Sequence, residues 1–130
     1  MTQKDFLLRL CKRNKNAIIV GSIGTISYDL NEIEHPNKVL IRGAMGAALG
    51  CGLGMALATD KTVIVVIGDG SLLMKMGSIS TILAYYPANF RVYVMYNGTY
   101  ASCGGQKNNF KRVMSCLRRP VFEVVKLQGK

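Results

Sequence analysis

Five consecutive β-branched residues, Val63 to Ile67, predict a strand buried on both faces, the usual mark of a central strand in a parallel sheet. Further apolar-rich stretches at Ala17 to Val20, Lys38 to Ile41, Arg91 to Tyr96 and Val121 to Leu127 predict four more strands, the last introduced by Pro120. Helical patterns separate them. Residues 2 to 14 read as a basic amphipathic helix with Phe6, Leu7, Leu10 and Cys11 on one side. A second helix over Ser27 to Ile33 is stopped by His35-Pro36-Asn37. Further helices are predicted in the glycine-striped stretch after Gly43, over Ser71 to Tyr85 and over Phe110 to Leu117. Strands alternating with helices imply an α/β fold, a three-layer doubly wound and mostly parallel sheet of about five strands. The whole chain, 1–130, reads as one domain without linker or repeat.

The central strand runs straight into Gly68-Asp69-Gly70-Ser71. Glycines let the backbone turn tightly there, and Ser71 can open a helix. The carboxyl ends of strands in open α/β sheets are where ligands bind. A helix end favours phosphate oxygens, whereas Asp69 repels them unless a cation lies between. That combination reads as a metal–diphosphate site. The next strand ends in Asn97-Gly98-Thr99. If the two strand ends lie side by side, Asp69, the Asn97 side-chain oxygen and a backbone carbonyl near Thr99 offer magnesium three of the oxygens it prefers. Each residue also has a plainer role: Asp69 as a helix N-cap, Asn97 as part of an Asn-Gly turn.

Gly68-Asp69-Gly70, 25 intervening residues and then Tyr96-Asn97 resemble the Gly-Asp-Gly…Asn-Asn signature of thiamine-diphosphate enzymes, with Tyr96 in place of the first Asn. Gly68 to Met74, Met76-Gly77-Ser78 and Asn97 to Gln106 resemble the cofactor domain of sulfopyruvate and phosphonopyruvate decarboxylases in particular. Upstream, Gly21 to Ser27 and Arg42 to Ala48 are similar to the same domain, so the likeness covers roughly residues 17 to 106. It implies thiamine diphosphate and Mg2+ as cofactors, with Asp69, Asn97 and the Thr99 carbonyl as metal ligands. Gly68, Gly70 and Ser71 would meet the diphosphate, and Gly21, Ser22 and Ser27 would form a loop near it. Gly43 and Gly46 flank the segment that meets the aminopyrimidine, with Met45 as a wedge beneath the bent cofactor or, more plainly, a core side chain.

The same likeness implies what must come from elsewhere. In the family, the glutamate that activates the aminopyrimidine belongs to a separate pyrimidine-binding domain. The expected partner is therefore a pyrimidine-domain subunit, a second copy of this chain, or both. The implied reaction is the non-oxidative decarboxylation of a small anionic 2-oxo acid, in an enzyme of which this chain is the diphosphate-binding subunit. The competing expectation is a catalytically inactive, shortened relative serving as an assembly protein that binds a partner or polyanion. Tyr96, Tyr28-Asp29 and Lys75 depart from the family's usual polar residues. The passage from the Gly-Gly-Gln loop through one helix to the last strand predicts an exposed sheet edge or a new interface.

Charge and cysteines adjust this picture only slightly. A net charge of +10, clustered at Lys4, Arg9, Lys12, Arg13, Lys15 and at Lys107, Lys111, Arg112, Arg118, Arg119, attracts anionic substrates, acidic proteins or nucleic acid. No nucleic-acid-binding motif accompanies it, and a solvated face or an acidic partner subunit is the simpler reading. Four scattered cysteines, including Cys103 near the expected site, lack zinc spacing and suit a reducing, cytoplasmic setting. His35, the single histidine, is expected in a surface loop. Gly43 to Thr59 is uncharged with Gly46, Gly50 and Gly54 at helical spacing, but falls short of the roughly 20 residues of a membrane span. A buried helix with a glycine face for close packing is the expectation.

Overall fold

The structure, a computed structural model, describes residues 1–117 and 121–127. Arg118, Arg119 and Pro120, which figure in the sequence reading, lie outside the described residues. Strand β3 (Val63–Gly68) is the hub, flanked by β1 (Ile18–Gly21) and β4 (Phe90–Tyr96). Outside these lie β2 (Lys38–Leu40) and β5 (Phe122–Lys126), giving a parallel sheet in the order β2-β1-β3-β4-β5. Among the described residues β5 is the last strand on its side of the sheet.

The β-branched run of β3 divides by alternation. Val63, Val65 and Ile67 pack on one face with helices α3 (Ala47–Ala58), α5 (Gly77–Tyr85) and the short α6 (Phe110–Val113). Ile64 and Val66 pack on the other with α1 (Gln3–Arg13) and α2 (Thr25–Asn31). All five side chains are buried, as a strand covered on both faces requires. α1 begins with a capping box, Thr2 accepting from the Asp5 amide while Asp5 accepts from the Thr2 amide, and buries Leu7, Leu10 and Cys11. Phe6 packs partly buried against Tyr93.

Three helix expectations need correction. The single helix predicted over Ser71 to Tyr85 is two, α4 (Asp69–Met74) and α5, interrupted at Lys75, whose φ of −134° leaves the helical region. The interruption lies where the 43–46 loop packs, because a Cβ on Gly46 would stand 2.3 Å from Lys75 Cγ. The helix predicted to Leu117 is α-helical only to Val113 and then tightens into a 3-10 turn over Met114–Cys116. Finally, the glycine stripe does not act as one surface. Gly46 precedes α3 at φ +88°, and Gly50 and Gly54 are exposed with nothing within 4 Å of an added Cβ. Gly52 is the glycine that packs, since its Cβ would stand 2.3 Å from Val65 Cγ2. Among the described residues no helix is long and apolar enough to cross a membrane.

Gly52 and Gly54 should therefore respond oppositely to alanine. Gly52→Ala overpacks Val65 and should cost about 1–3 kcal/mol. Gly54→Ala adds helix propensity into open space and should stabilise by about 0.5–1 kcal/mol. Urea unfolding of both variants checks the sign.

Candidate cofactor site

The sheet order reverses direction between β1 and β3, and a crevice opens at the carboxyl end of such a switch point. A cavity of about 210 Å³ lies there. The β1–α2 turn contributes Ile23, Gly24 and Thr25 to its wall. Its predicted neighbours stand behind it. Ser27 Oγ donates to the Ser22 carbonyl at 2.6 Å and the Gly21 carbonyl at 3.3 Å, tying the turn closed. Ser22 is buried, its Oγ donating to the Ile23 carbonyl at 3.5 Å, and a Cβ on Gly21 would stand 2.6 Å from Leu30 Cδ1. Gly21, Ser22 and Ser27 thus shape the turn, while Gly24 and Thr25 line the cavity.

Pairing of β3 with β4 sets Gly68 opposite Met95, so the chain leaves both strands at the same level. Gly68, Asp69, Gly70 and Ser71 meet Asn97 and Thr99 around the cavity. Asp69 is only 2% exposed. It does not cap its own helix. Its Oδ2 instead accepts from the Gly98 amide at 2.8 Å and from Asn108 Nδ2 at 3.1 Å. Among the described residues Oδ1 takes no hydrogen bond, and Asp69 stands in the cavity wall. Asn97 Oδ1 accepts from the Thr99 amide at 2.9 Å and from Thr99 Oγ1 at 3.3 Å, which closes the Asn-Gly turn. A Cβ on Gly70 would stand 2.8 Å from Tyr100 Cδ1 and 3.7 Å from the Thr99 carbonyl, so glycine is what allows the loop to lie this close.

The 43–46 loop closes another side. Ala44 (φ +48°) and Gly46 (φ +88°) both adopt left-handed backbone, a conformation an alanine holds only under constraint. Met45, between them, lines the cavity and accepts from the Cys103 thiol at 3.6 Å. Gly43 is exposed, with nothing within 4 Å of an added Cβ. The described lining holds no Lys or Arg. Arg9, Lys12 and Lys15 instead line a cleft with Pro36 and Lys38, at the amino ends of the strands. His35 lies in the loop before β2 as expected, half-buried, with its Nε2 2.8 Å from the Asn14 carbonyl and its Nδ1 accepting from the Asn37 amide at 3.1 Å.

The donors fit a hard cation better than a soft one. They comprise one carboxylate oxygen, one carbonyl and one amide oxygen, Asn97 Oδ1, which here accepts from Thr99 twice, the chemistry magnesium takes when phosphate and water complete its shell. Among the described residues no group of three or more His, Cys, Asp or Glu gathers to hold a metal alone. Added phosphate oxygens would therefore be needed. Gln3, Met95, Tyr100 and Leu127 also line the cavity and escaped the sequence reading. Tyr100 follows Thr99 directly and was within reach of it, whereas Gln3 carried no local signal.

The model for the thiamine pyrophosphate enzyme, C-terminal TPP binding domain, matches residues 20–126. The chain belongs to that family and is a thiamine-diphosphate-binding domain. Among curated relatives, phosphonopyruvate decarboxylase of Streptomyces viridochromogenes is 39% identical over 99 residues, covering 75% of this chain and 25% of that protein. Sulfopyruvate decarboxylase subunit beta of Methanocaldococcus jannaschii is 41% identical over 93 residues, covering 71% and 50%. The chain thus spans half or less of the length of these relatives. An X-ray structure from Mycobacterium smegmatis, put forward as a thiamin diphosphate-dependent enzyme, superposes with a TM-score of 0.71 at 20% identity, over 98% of this chain and 31% of that one. That likeness bears on the fold.

Removing the Asp69 carboxylate strips two donors of their acceptor. Asp69→Ala should lower stability by about 1–3 kcal/mol through the unpaired Gly98 amide and Asn108 amide group. A shifted urea midpoint at unchanged slope is the expected reading.

Proposed function

We propose that this chain is the diphosphate-binding subunit, a single domain over 1–130, of a magnesium-dependent decarboxylase acting on a small anionic 2-oxo acid with a sulfonate or phosphonate tail. The observation that carries the proposal is the buried Asp69 carboxylate. One oxygen is fixed by the Gly98 amide and Asn108, the other takes no hydrogen bond among the described residues, and the residue lines a cavity with Asn97 and Thr99. Thiamine diphosphate, when bound, supplies the carbanion-stabilising chemistry for loss of carbon dioxide. The chain's own part is to hold and orient. Asp69, Asn97 and the Thr99 carbonyl ligate magnesium. Gly68, Gly70 and Ser71 meet the diphosphate, and Gly21, Ser22 and Ser27 brace the turn beside it. Met45, with Gly43 and Gly46 on either side, supports the cofactor's ring end.

At about 210 Å³ the cavity is smaller than the roughly 300–1,000 Å³ of complete ligand pockets, which supports a second wall from a pyrimidine-binding domain. Among the described residues the lining holds no Lys or Arg, which supports recognition of the anionic tail by that domain as well. The relatives named sulfopyruvate decarboxylase subunit beta support a partner chain. Four free cysteines suit a reducing cytoplasm.

Calorimetric titration with thiamine diphosphate, with and without magnesium, tests the reading. Magnesium-dependent binding that disappears in Asp69→Ala is the expected result. Binding indifferent to magnesium or to Asp69, or none at millimolar cofactor, would overturn it.

A further inference from the structure

Asn108 lies eleven residues beyond Asn97, outside every motif that singles out the site. Its position is nevertheless central. The chain runs out from Gly98, turns through the 3-10 segment Ala101–Cys103 and returns, with Thr99 bridging Lys107 and the Tyr100 amide donating to the Gln106 carbonyl at 2.8 Å. Asn108 closes this excursion three times. Its amide donates to the Gly98 carbonyl at 2.9 Å, its Oδ1 accepts from the Phe110 amide at 3.1 Å, and its Nδ2 donates to Asp69 Oδ2 at 3.1 Å. Because Oδ1 takes a backbone donor, the amide's orientation is fixed and Nδ2 is the group that faces Asp69.

Resting on the proposed magnesium role of Asp69, we infer that Asn108 is a positioning residue for that metal ligand. Both donors to Asp69 fall on Oδ2, one from the Gly98 backbone and one from the Asn108 side chain. Two donors on one oxygen stop the carboxylate from rotating and present Oδ1 to the cavity. Of the described residues, Asn108 is the one whose side chain bonds this carboxylate. Magnesium demands near-octahedral angles, so the direction of Oδ1 bears on affinity as much as its presence does. Hydrogen bonds behind a metal ligand are worth about 10–100-fold in metal affinity.

Asn108→Ser separates positioning from scaffolding. Serine keeps the backbone bond to Gly98 and an oxygen for the Phe110 amide, but it is too short to reach Asp69. Mn2+ titrated against the full chain with saturating thiamine diphosphate, and followed by its electron paramagnetic resonance signal, reads the metal site without turnover. Asn108→Ser and Asn108→Ala should both weaken Mn2+ binding about tenfold or more, with Asn108→Ser melting like the wild type in the absence of metal. Wild-type affinity in Asn108→Ser overturns the inference, and so does a lowered melting temperature with unchanged affinity. If Asp69→Ala abolishes Mn2+ binding while the Asn108 variants retain it, the inference alone falls. If the wild type binds no Mn2+, the proposed role of Asp69 falls with it.

Discussion

Parallel pairing of β3 with β4 is the constraint on which the rest depends. Its register, Val63 against Phe90 through Gly68 against Met95, ends both strands together and delivers two loops to one place. A slip of one residue would turn every side chain of β4 to the opposite face. Val92 and Val94 would leave the α3 and α5 layer, and Met95 would leave the α1 and α2 layer. The site's geometry is therefore secured by hydrophobic burial some distance from any polar group. The Asp69 carboxylate then fastens what the register has aligned, linking the start of α4 to the turn after β4.

Three glycines let neighbouring elements press closer than any side chain would allow. Gly52 lets α3 lie against Val65, Gly70 lets the 98–108 loop lie over the start of α4, and Gly46 lets the 43–46 loop sit on Ser71 and Lys75. The first shapes the core and the other two shape the cavity. Met45 is held in the wall by a backbone that reverses hand on either side of it, at Ala44 and Gly46. Its partner Cys103 is exposed, whereas Cys11 is buried and its thiol is pushed up by that burial, which marks Cys11 as a core side chain.

Much of this was legible in the sequence because the signals were local. Five strands, their parallel arrangement and the Gly68-Asp69-Gly70 and Asn97-Gly98-Thr99 turns follow from runs, punctuation and motif spacing. What escaped was set by contact across the fold. In Ser71 to Tyr85 the local hint of the break at Lys75 is Gly77, where α5 begins, and the loop at Gly46 packs against Lys75 from across the fold. Helical spacing made Gly46, Gly50 and Gly54 look like one face, yet within α3 the packed glycine is Gly52, set by the position of Val65, while Gly46 packs from outside the helix. Asp69 reads as an N-cap within its own turn, and only β4's proximity sends it across to Gly98. Basic side chains near the N-terminus suggested an attraction for substrate, but sheet polarity puts Arg9, Lys12 and Lys15 at the other end.

Gln3 and Leu127 close the cavity from the two helix- and strand-ends most distant in sequence, the first turn of α1 and the residue after β5. α1 is held through Leu7, Leu10 and Cys11 and through Gln3 donating to Asp29 at 2.8 Å, while β5 pairs, among the described residues, with β4 alone. Elements at the rim of a fold open locally far more often than its core strands do. The cavity's outer walls thus belong to elements at the edge of the fold, while its floor, Gly68 to Ser71, continues from the central strand.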